Sequence, residues 1–536
     1  MNTPTNDSMP PASGDGDLSA APGFSAAELH ALRNRVSDLE RQRNRYKKRY
    51  EAATEDRNET QAQTLIRYAK QEPHEVFRDE KGEAYITFGM DGIMRSAPIR
   101  GSAFGHWLRW CFYDEHEKPP GAQAVQDARE HLCAHAEFEG AKHTVELRNA
   151  ETADGIEIDL GGDDWRCVRV TSEKWEVTVR PRAKFRRSKA TASYAFPVRG
   201  EKGLSLLRQH IRVKDDENFA LLCGWLVQAL RPSGPYPVLV LTGEQGSGKT
   251  TTAELIRQIV DPSMLPTRSA PRNEEDLAVA ADNSHVLNFD NLSGVSPWLS
   301  DALCRLATGG GFATRQLYTN REESIFHGAR PVILNGIEDL TARPDLADRA
   351  VILELAPIPD EERRTAEEIR DAFNNDRAEI FGALLDALST AMDRVKSINL
   401  DSLPRMADFA KWAQAAEICY GVEPGTFARA YEENRDVANE TALEADEVAT
   451  AVVHMLEDKG SWTGKMSDLP KVLKAYLFDS ETPPKELQSW QALSGWFKRK
   501  MPVLRRAGVQ REDDPRERIR AFTLSLVEDA DGEAPF

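Results

Sequence analysis

A multidomain α/β architecture is the fold class this sequence predicts, and three observations carry the prediction. The chain has 536 residues, well beyond the length at which a single core stops growing. The apolar runs "YPVLVLTG", "HVLNFD", "ARPVILNG" and "RAVILEL" alternate with helical stretches, the pattern of a parallel sheet with helices on both faces. The two ends differ from this middle: a start rich in Pro, Gly, Ser and Asp, and a finish that reads as three helices and two strands.

Residues 1–24 have no basic start followed by an apolar stretch, so they do not read as a secretory signal. Their composition predicts a disordered tail. Ser25 and Glu28 fit a capping box, and Leu29, Leu32, Val36, Leu39, Arg43, Tyr46, Tyr50 and Ala53 then recur at alternating spacings of three and four. A coiled coil over 25–63 follows, weakened by Arg43 in its seam. It either oligomerises the chain or packs as one amphipathic helix on the next domain. Residues 64–199 read as a mixed α+β domain of undisclosed role. In it "EAYITF", "GIEIDL", "WRCVRV" and "WEVTV" alternate like strands, and "SAFGHWLRWCFYDEH" and "AQAVQDAREHLCAHAEF" are amphipathic. Asp159, Asp163 and Asp164 stand at a strand end and turn, read as turn carboxylates ahead of a metal site.

A helical lead-in ending at Pro232 opens the sheet core, over 200–360, and a helical lid follows over 361–440. Residues 441–536 predict a winged helix with a short acidic tail. Its helices are expected over Asp446–Glu457, Met466–Leu477 and Leu487–Lys500, and its strands over Val503–Val509 and Ile519–Val527.

Bulk properties narrow the class. No run of about eighteen apolar residues is present, so no membrane span is expected, and a cytosolic setting is expected. The six cysteines are scattered without a C-x-x-C pair, which predicts reduced thiols and no zinc site. A net charge of −18 argues against a protein that coats nucleic acid but says nothing of a local channel. Basic concentrations at Arg41–Arg49, Arg180–Lys189 and Phe497–Arg506 each read first as solvated faces.

The chemistry concentrates in the core. "GEQGSGKT", Gly243–Thr250, matches G-x-x-x-x-G-K-[ST], with an apolar strand before it and a helix after it. Amides of Gly243, Gly246, Gly248 and Thr251 in such a turn face phosphate at a helix N-terminus. Lys249 would reach the β- and γ-phosphates and the Thr250 hydroxyl would sit on Mg²⁺, so ATP and Mg²⁺ are the expected ligands. Asp290 ends an apolar strand and would hold the magnesium as well. The next residue is Asn291, where a second acid is common, and Glu244 within the loop is the candidate to activate water in its place. Thr308–Phe326 reads as a β-hairpin with Asn320 and Arg321 at its tip. Arg315 and Arg321 suit a nucleic-acid backbone there, and Tyr318 suits base stacking. Asn335 ends the next strand and could orient the attacking water. Arg349, with Arg343 as second choice, is the candidate arginine supplied to a neighbouring subunit; the other reading of either is a salt bridge. In the winged helix, Lys498, Arg499 and Lys500 would meet duplex DNA, with Arg511, Arg516 and Arg518 on the wing; the other reading is a protein-docking or structural role.

Taken in order, P-loop, metal aspartate, hairpin, strand ending in Asn and then "DR", the chain is similar to the superfamily 3 helicases, a branch of the AAA+ ATPases. The stretch "LSDALCRLATGGGFATRQLYTNREESIFHGARPVILNGIEDLTARPDLADRAVILEL" resembles phage and prophage ATP-binding proteins related to poxvirus-type primase–helicases. The resemblance runs from about Thr64 onward and is sharpest between Pro235 and Pro357. It implies an AAA+-type core acting as a hexameric ring on single-stranded DNA. Lys249 and Thr250 would meet the phosphates, Asp290 the magnesium, Asn335 would be the sensor, Gly309–Phe326 the DNA-facing hairpin and Arg349 the arginine acting in trans. The chain departs from the pattern at Asp290–Asn291, where paired acids are usual, at Arg315, where lysine is common, and in lacking a recognisable primase core. The expected function is an ATP-dependent DNA-translocating ATPase, a replicative helicase. An ATP-switched DNA-binding or origin-loading protein with little unwinding stays open. A small-molecule P-loop kinase fits the loop but leaves the hairpin, Asn335 and Arg349 without a place.

Overall fold

Four apolar runs become the four strands of one parallel sheet. The structure is a computed structural model that describes residues 59–71, 74–90, 93–315, 323–326, 328–336, 340–341, 343–400, 402–444, 446–477, 483–513 and 521–526. The strands lie in the order Leu287–Leu292, Val332–Gly336, Val238–Thr242, Ala350–Glu354. Leu241 stands opposite Asn335 on one side and Leu353 on the other. Near-continuous burial along Val238–Leu241 and Val332–Asn335 is what a sheet covered on both faces requires. All four strands run the same way, so their C-terminal ends bring Gly243, Asp290 and Asn335 to one edge. In open α/β sheets that edge is where ligands bind.

The helix Asp216–Ala229 starts at Asp215, whose carboxylate accepts from the Asn218 amide, and every residue from Phe219 to Ala229 is buried. A helix apolar on all sides belongs inside a larger body, and this one packs against Ala407–Ala416 and Thr426–Glu444 of the lid. The lid also holds the 29-residue helix Ala366–Arg394, opened by a Thr365–Glu368 capping box. Asn434 closes the free side of strand Ala350–Glu354. Its Oδ1 accepts from the Ile352 amide at 2.9 Å and its Nδ2 donates to the Ile352 carbonyl at 2.6 Å. Asn218 accepts from Glu354 N–H on the same side, at 2.8 Å.

The described residues divide into two compact units, one formed by those within 59–78, 82–90 and 97–141 and the other by those within 79–81, 93–96 and 142–526. The division at Ala141 falls inside the 64–199 segment. In the first unit a new helix, Gln61–Ala69, begins at a Thr60–Gln63 capping box. It shares a core with Ser102–His116 and Ala122–Phe138 through Leu65, Tyr68, Phe104, Leu108, Val125 and Leu132. Both longer helices cover the amphipathic stretches read from the sequence. The coiled-coil heptads and the tail before residue 59 lie outside the described residues.

In the second unit, strands Asn149–Thr152, Gly155–Asp159, Cys167–Val170 and Trp175–Thr178 form an antiparallel sheet. Ile156, Ile158, Val168 and Val170 join the same hydrophobic cluster as the parallel sheet. Asp159 is buried and takes Arg187 through both oxygens, at 2.8 and 2.6 Å, and Asp164 pairs with Arg166. These are structural ion pairs. Among the described residues no group of three His, Cys, Asp or Glu side chains is gathered to hold a metal. The basic stretch Arg180–Lys189 is likewise committed: Arg182 pairs with Asp154, Arg186 with Asp282 and Arg187 with Asp159.

A buried ionic cluster ties this sheet to the nucleotide core. Asp261, at the end of helix Lys249–Val260, accepts from Arg148 Nε at 2.9 Å, Arg257 Nη2 at 3.2 Å and the Val286 amide at 3.0 Å. Burial alone would raise its carboxyl, but Arg257 and Arg148 outweigh it and hold the group below the usual range. Beside it His285 is fully buried, and loss of solvent drops its pKa from 6.5 to about 4. Between those values an unfolded chain takes up a proton that the folded chain refuses. The stability from neutral His285 is therefore complete above about pH 6.5 and is lost as pH falls toward about 4, by up to about 3 kcal/mol. His285→Gln should flatten that part of the slope in urea midpoints measured across this range.

The C-terminal segment has its own core around Leu456, Leu469, Leu493, Phe497 and Leu524. Helix Glu447–Lys459 leads to strand Ser461–Lys465, helix Leu469–Leu473 and helix Trp490–Arg506, then strands Val509–Asp513 and Ala521–Leu526. The expected strand at Val503–Val509 is corrected: the helix continues past Pro502 and stops only where Gly508 takes a φ of +76°. Leu493, Phe497, Met501 and Leu504 recur at helical spacing into the core, and that burial outweighs the helix-breaking tendency of proline. Ser461–Lys465 is a third strand that the reading missed. It pairs with Ala521–Leu526, and Trp462 stacks edge-on against Phe522.

Candidate functional site

The Gly243–Thr250 loop joins strand Val238–Thr242 to helix Lys249–Val260. Gly248 caps the helix in the left-handed region at φ +78°, with no side chain bonded to the first amides. Those N–H groups stay free to face an anion. At Gly243 a Cβ would come within 2.8 Å of Ser247 Oγ and 3.1 Å of the Leu355 carbonyl, so only glycine fits the turn. Lys249 Nζ folds back onto the carbonyls of Gly243 and Glu244, at 2.7 and 2.9 Å. Its charge thus already lies over the loop. Glu244 itself is exposed.

Thr250 Oγ1 donates to Asp290 Oδ1 at 2.9 Å. A hydroxyl and a carboxylate side by side are the hard oxygen donors that Mg²⁺ prefers, so these two residues fit the ion. Asn291 follows with φ +56°, and the strand bulges here between Phe289 and Leu292. Asn, like Asp, is among the few non-glycine residues that tolerate this conformation, so the residue type suits the bend. The bulge aims the Asn291 backbone N–H at Asn335, whose Oδ1 accepts it at 3.0 Å. Asn335 is buried and, among the described residues, its Nδ2 has no partner. A buried donor without a partner costs about 1–3 kcal/mol, a cost that a bound group at the strand ends would relieve.

Two features escaped the sequence reading. Glu254 stands one helical turn beyond Thr250, and its carboxyl is raised by burial and by the charge of Asp290. The signal was the i, i+4 spacing in "TTTAE". A cleft of about 1030 Å³ opens beside Gly246–Thr252, lined by Ile211, Val213, Ile358 and Ile369 with Arg212 and Arg363 at its rim. It is built by segments on either side of the loop in sequence and so has no local motif.

Strands Phe312–Arg315 and Glu323–Phe326 pair antiparallel, as the hairpin reading requires. Tyr318 and Arg321 lie outside the described residues, as do Arg516, Arg518 and the side chain of Arg315. Arg349 precedes Ala350, which is level with Val238 at the start of the loop strand. It is thus at the end of the sheet away from Gly243, about 20 Å along the strands. Its Nη1 donates to the Asp345 carbonyl at 2.7 Å. Arg343 pairs with Asp301 at 2.9 Å. In the C-terminal segment Lys498 and Arg499 are exposed, Lys500 is ion-paired with Asp446 at 2.8 Å, and Arg511 pairs with Asp513. Among the described residues no helix is long and apolar enough to cross a membrane.

Residues 205–436 match the family model of the actinomycete integrative conjugative element replication protein, and residues 448–531 match that of the RepA C-terminal domain of the same elements. Both segments are thus similar to this replication-protein family. The first matched segment contains the loop, Asp290, Asn335 and Arg349, and the second contains Lys498–Lys500. In structure the chain is similar to the apo C-terminal region of NrS-1, at 14% identity over 88% of this chain and 100% of that one, with a TM-score of 0.37. It is also similar to SCCmec type IV Cch, an active helicase, at 12% identity over 85% and 92%, TM-score 0.43. JCV helicase follows at 13% identity over 42% and 66%, TM-score 0.21. Likenesses this loose carry no argument about activity. No curated protein sequence matches the chain.

Proposed function

We propose that this chain is a Mg²⁺-dependent ATPase that moves on single-stranded DNA as a homo-oligomeric ring, a replicative helicase of AAA+ type. One observation carries the reading: Thr250 and Asp290 share a hydrogen bond at the mouth of a glycine loop, and Asn335, whose Nδ2 has no partner among the described residues, ends the strand between the Asp290 strand and the one leading into the loop. The loop amides and Lys249 hold the triphosphate, and the cleft beside the loop takes base and sugar. Bound Mg²⁺ would neutralise charge between the β- and γ-phosphates. Asn335 Nδ2 orients the water that attacks the γ-phosphorus as the bond to ADP breaks. Glu244 or Glu254 is the acid that draws the water's proton. Arg349 is too far from its own loop to help, which supports its being supplied to the next subunit, where such an arginine is worth about 10³–10⁵ in rate. The C-terminal segment acts as a winged helix that presents Lys498 and Arg499 to duplex DNA.

Asn291, an amide where a second acid is common, favours a second reading: ATP switches DNA binding or origin loading with little unwinding. Strand displacement measured beside steady-state phosphate release separates the two. Displacement that needs ATP, with turnover stimulated by single-stranded DNA, supports the helicase. ATP-dependent duplex binding with neither effect overturns it in favour of the switch.

A further inference from the structure

Asp348 ends the one-turn helix Pro344–Ala347 and immediately precedes Arg349. Two guanidinium groups from distant parts of the chain converge on its carboxylate, which is 16% exposed. Arg506, the last residue of helix Trp490–Arg506, pairs with Oδ1. Arg405, just before lid helix Ala407–Ala416, stands 4.0 Å from Oδ2. Arg349 is held close by: its side chain is 12% exposed, and its carbonyl accepts from the Val238 amide, at the start of the loop strand, at 2.8 Å. One peptide bond therefore separates the ion pair from the arginine, and one hydrogen bond joins that arginine to the strand carrying the phosphate loop.

The other end of the connection faces solvent. Arg499 is exposed and lies seven residues, about two turns, before Arg506, so the two share a helix face. Helix Thr426–Glu444 packs against both Pro344–Ala347 and Trp490–Arg506, giving the two elements a common mount. A pair whose arginine is open to water is weak, which suits a contact that must release. Arg405 stays beside the carboxylate when Arg506 leaves, so Asp348 is never stranded without a cation.

We infer that Arg506 and Asp348 are positioning residues that couple DNA held by the C-terminal basic helix to the placement of Arg349. This rests on the reading of Arg349 as the arginine given to a neighbouring subunit. The test uses the full chain at saturating single-stranded oligodeoxythymidine, with DNA affinity read separately by anisotropy. Arg506→Glu should leave turnover without DNA and the KM for ATP unchanged while lowering DNA stimulation about fivefold or more, the low end of ordinary coupling between sites. Arg506→Lys should keep most of the stimulation. Full stimulation in Arg506→Glu, or an equal fall with and without DNA, overturns the inference. Arg349→Ala in the same assay separates the two levels. If it keeps normal turnover, the underlying reading of Arg349 fails; if it loses turnover while Arg506→Glu changes nothing, only the coupling fails.

Discussion

Lys249→Ala lowers ATP turnover by about 10²–10³-fold, the range lost when one preorganised charge-stabilising donor is removed from a site. The size of the effect follows from how little else changes. The cradle of amides is set by glycine backbone angles and the helix start, not by this side chain. Lys249 bonds only two loop carbonyls through its ammonium, and both also face solvent, so fold stability should hold. Phosphate release measured at saturating nucleotide, beside a thermal melt, checks the pair of expectations. Turnover within about threefold of the parent chain would remove Lys249, and the ATPase reading with it.

Asp261→Ala should be the most destabilising single change, by about 3–5 kcal/mol, the cost of removing one partner from a buried ion pair. Arg148 and Arg257 are both 2% exposed or less, and each loses its carboxylate, as does the Val286 amide. Urea unfolding measures the loss. The damage should reach the site as well. Asp261 ends the helix that begins at Lys249 and holds Val286, four residues ahead of Asp290, so nucleotide affinity should fall in the surviving folded protein. A shift in the urea midpoint no larger than about 1 kcal/mol would mean that the arginines find other partners.

Legibility tracked how local each cause was. The loop, Asp290 and Asn335 could be read because a glycine turn and a polar residue ending an apolar strand leave their mark within a few residues. Asn291 could be noticed, but its left-handed backbone could not be foreseen from sequence, because it comes from a bulge set by pairing with the strand Val332–Gly336. Glu254 was visible only as a spacing. The Arg148–Asp261 pair spans 113 positions, and nothing in "LRN" or "IVDPS" distinguishes a buried arginine or aspartate from an exposed one. The same limit made Arg180–Lys189 read as a basic face, although its acids come from far away in the chain. In the C-terminal segment the expected helix stopped at Lys500 and a strand was expected from Val503, because the burial of Val503 and Leu504 is a property of the folded core.

Asn434 and Asn218 have a consequence for assembly. They take up the outward-facing peptide groups of strand Ala350–Glu354, and at the opposite margin Arg268 lies along strand Leu287–Leu292, its amide on Asn288 and its carbonyl on Asp290. Neither margin of the sheet is left open to extend by another strand. A second copy of this chain therefore cannot add a strand to this parallel sheet. Any contact made at the sheet's margins would run through side chains on helices and loops, and such a contact can open and reset without unravelling the core.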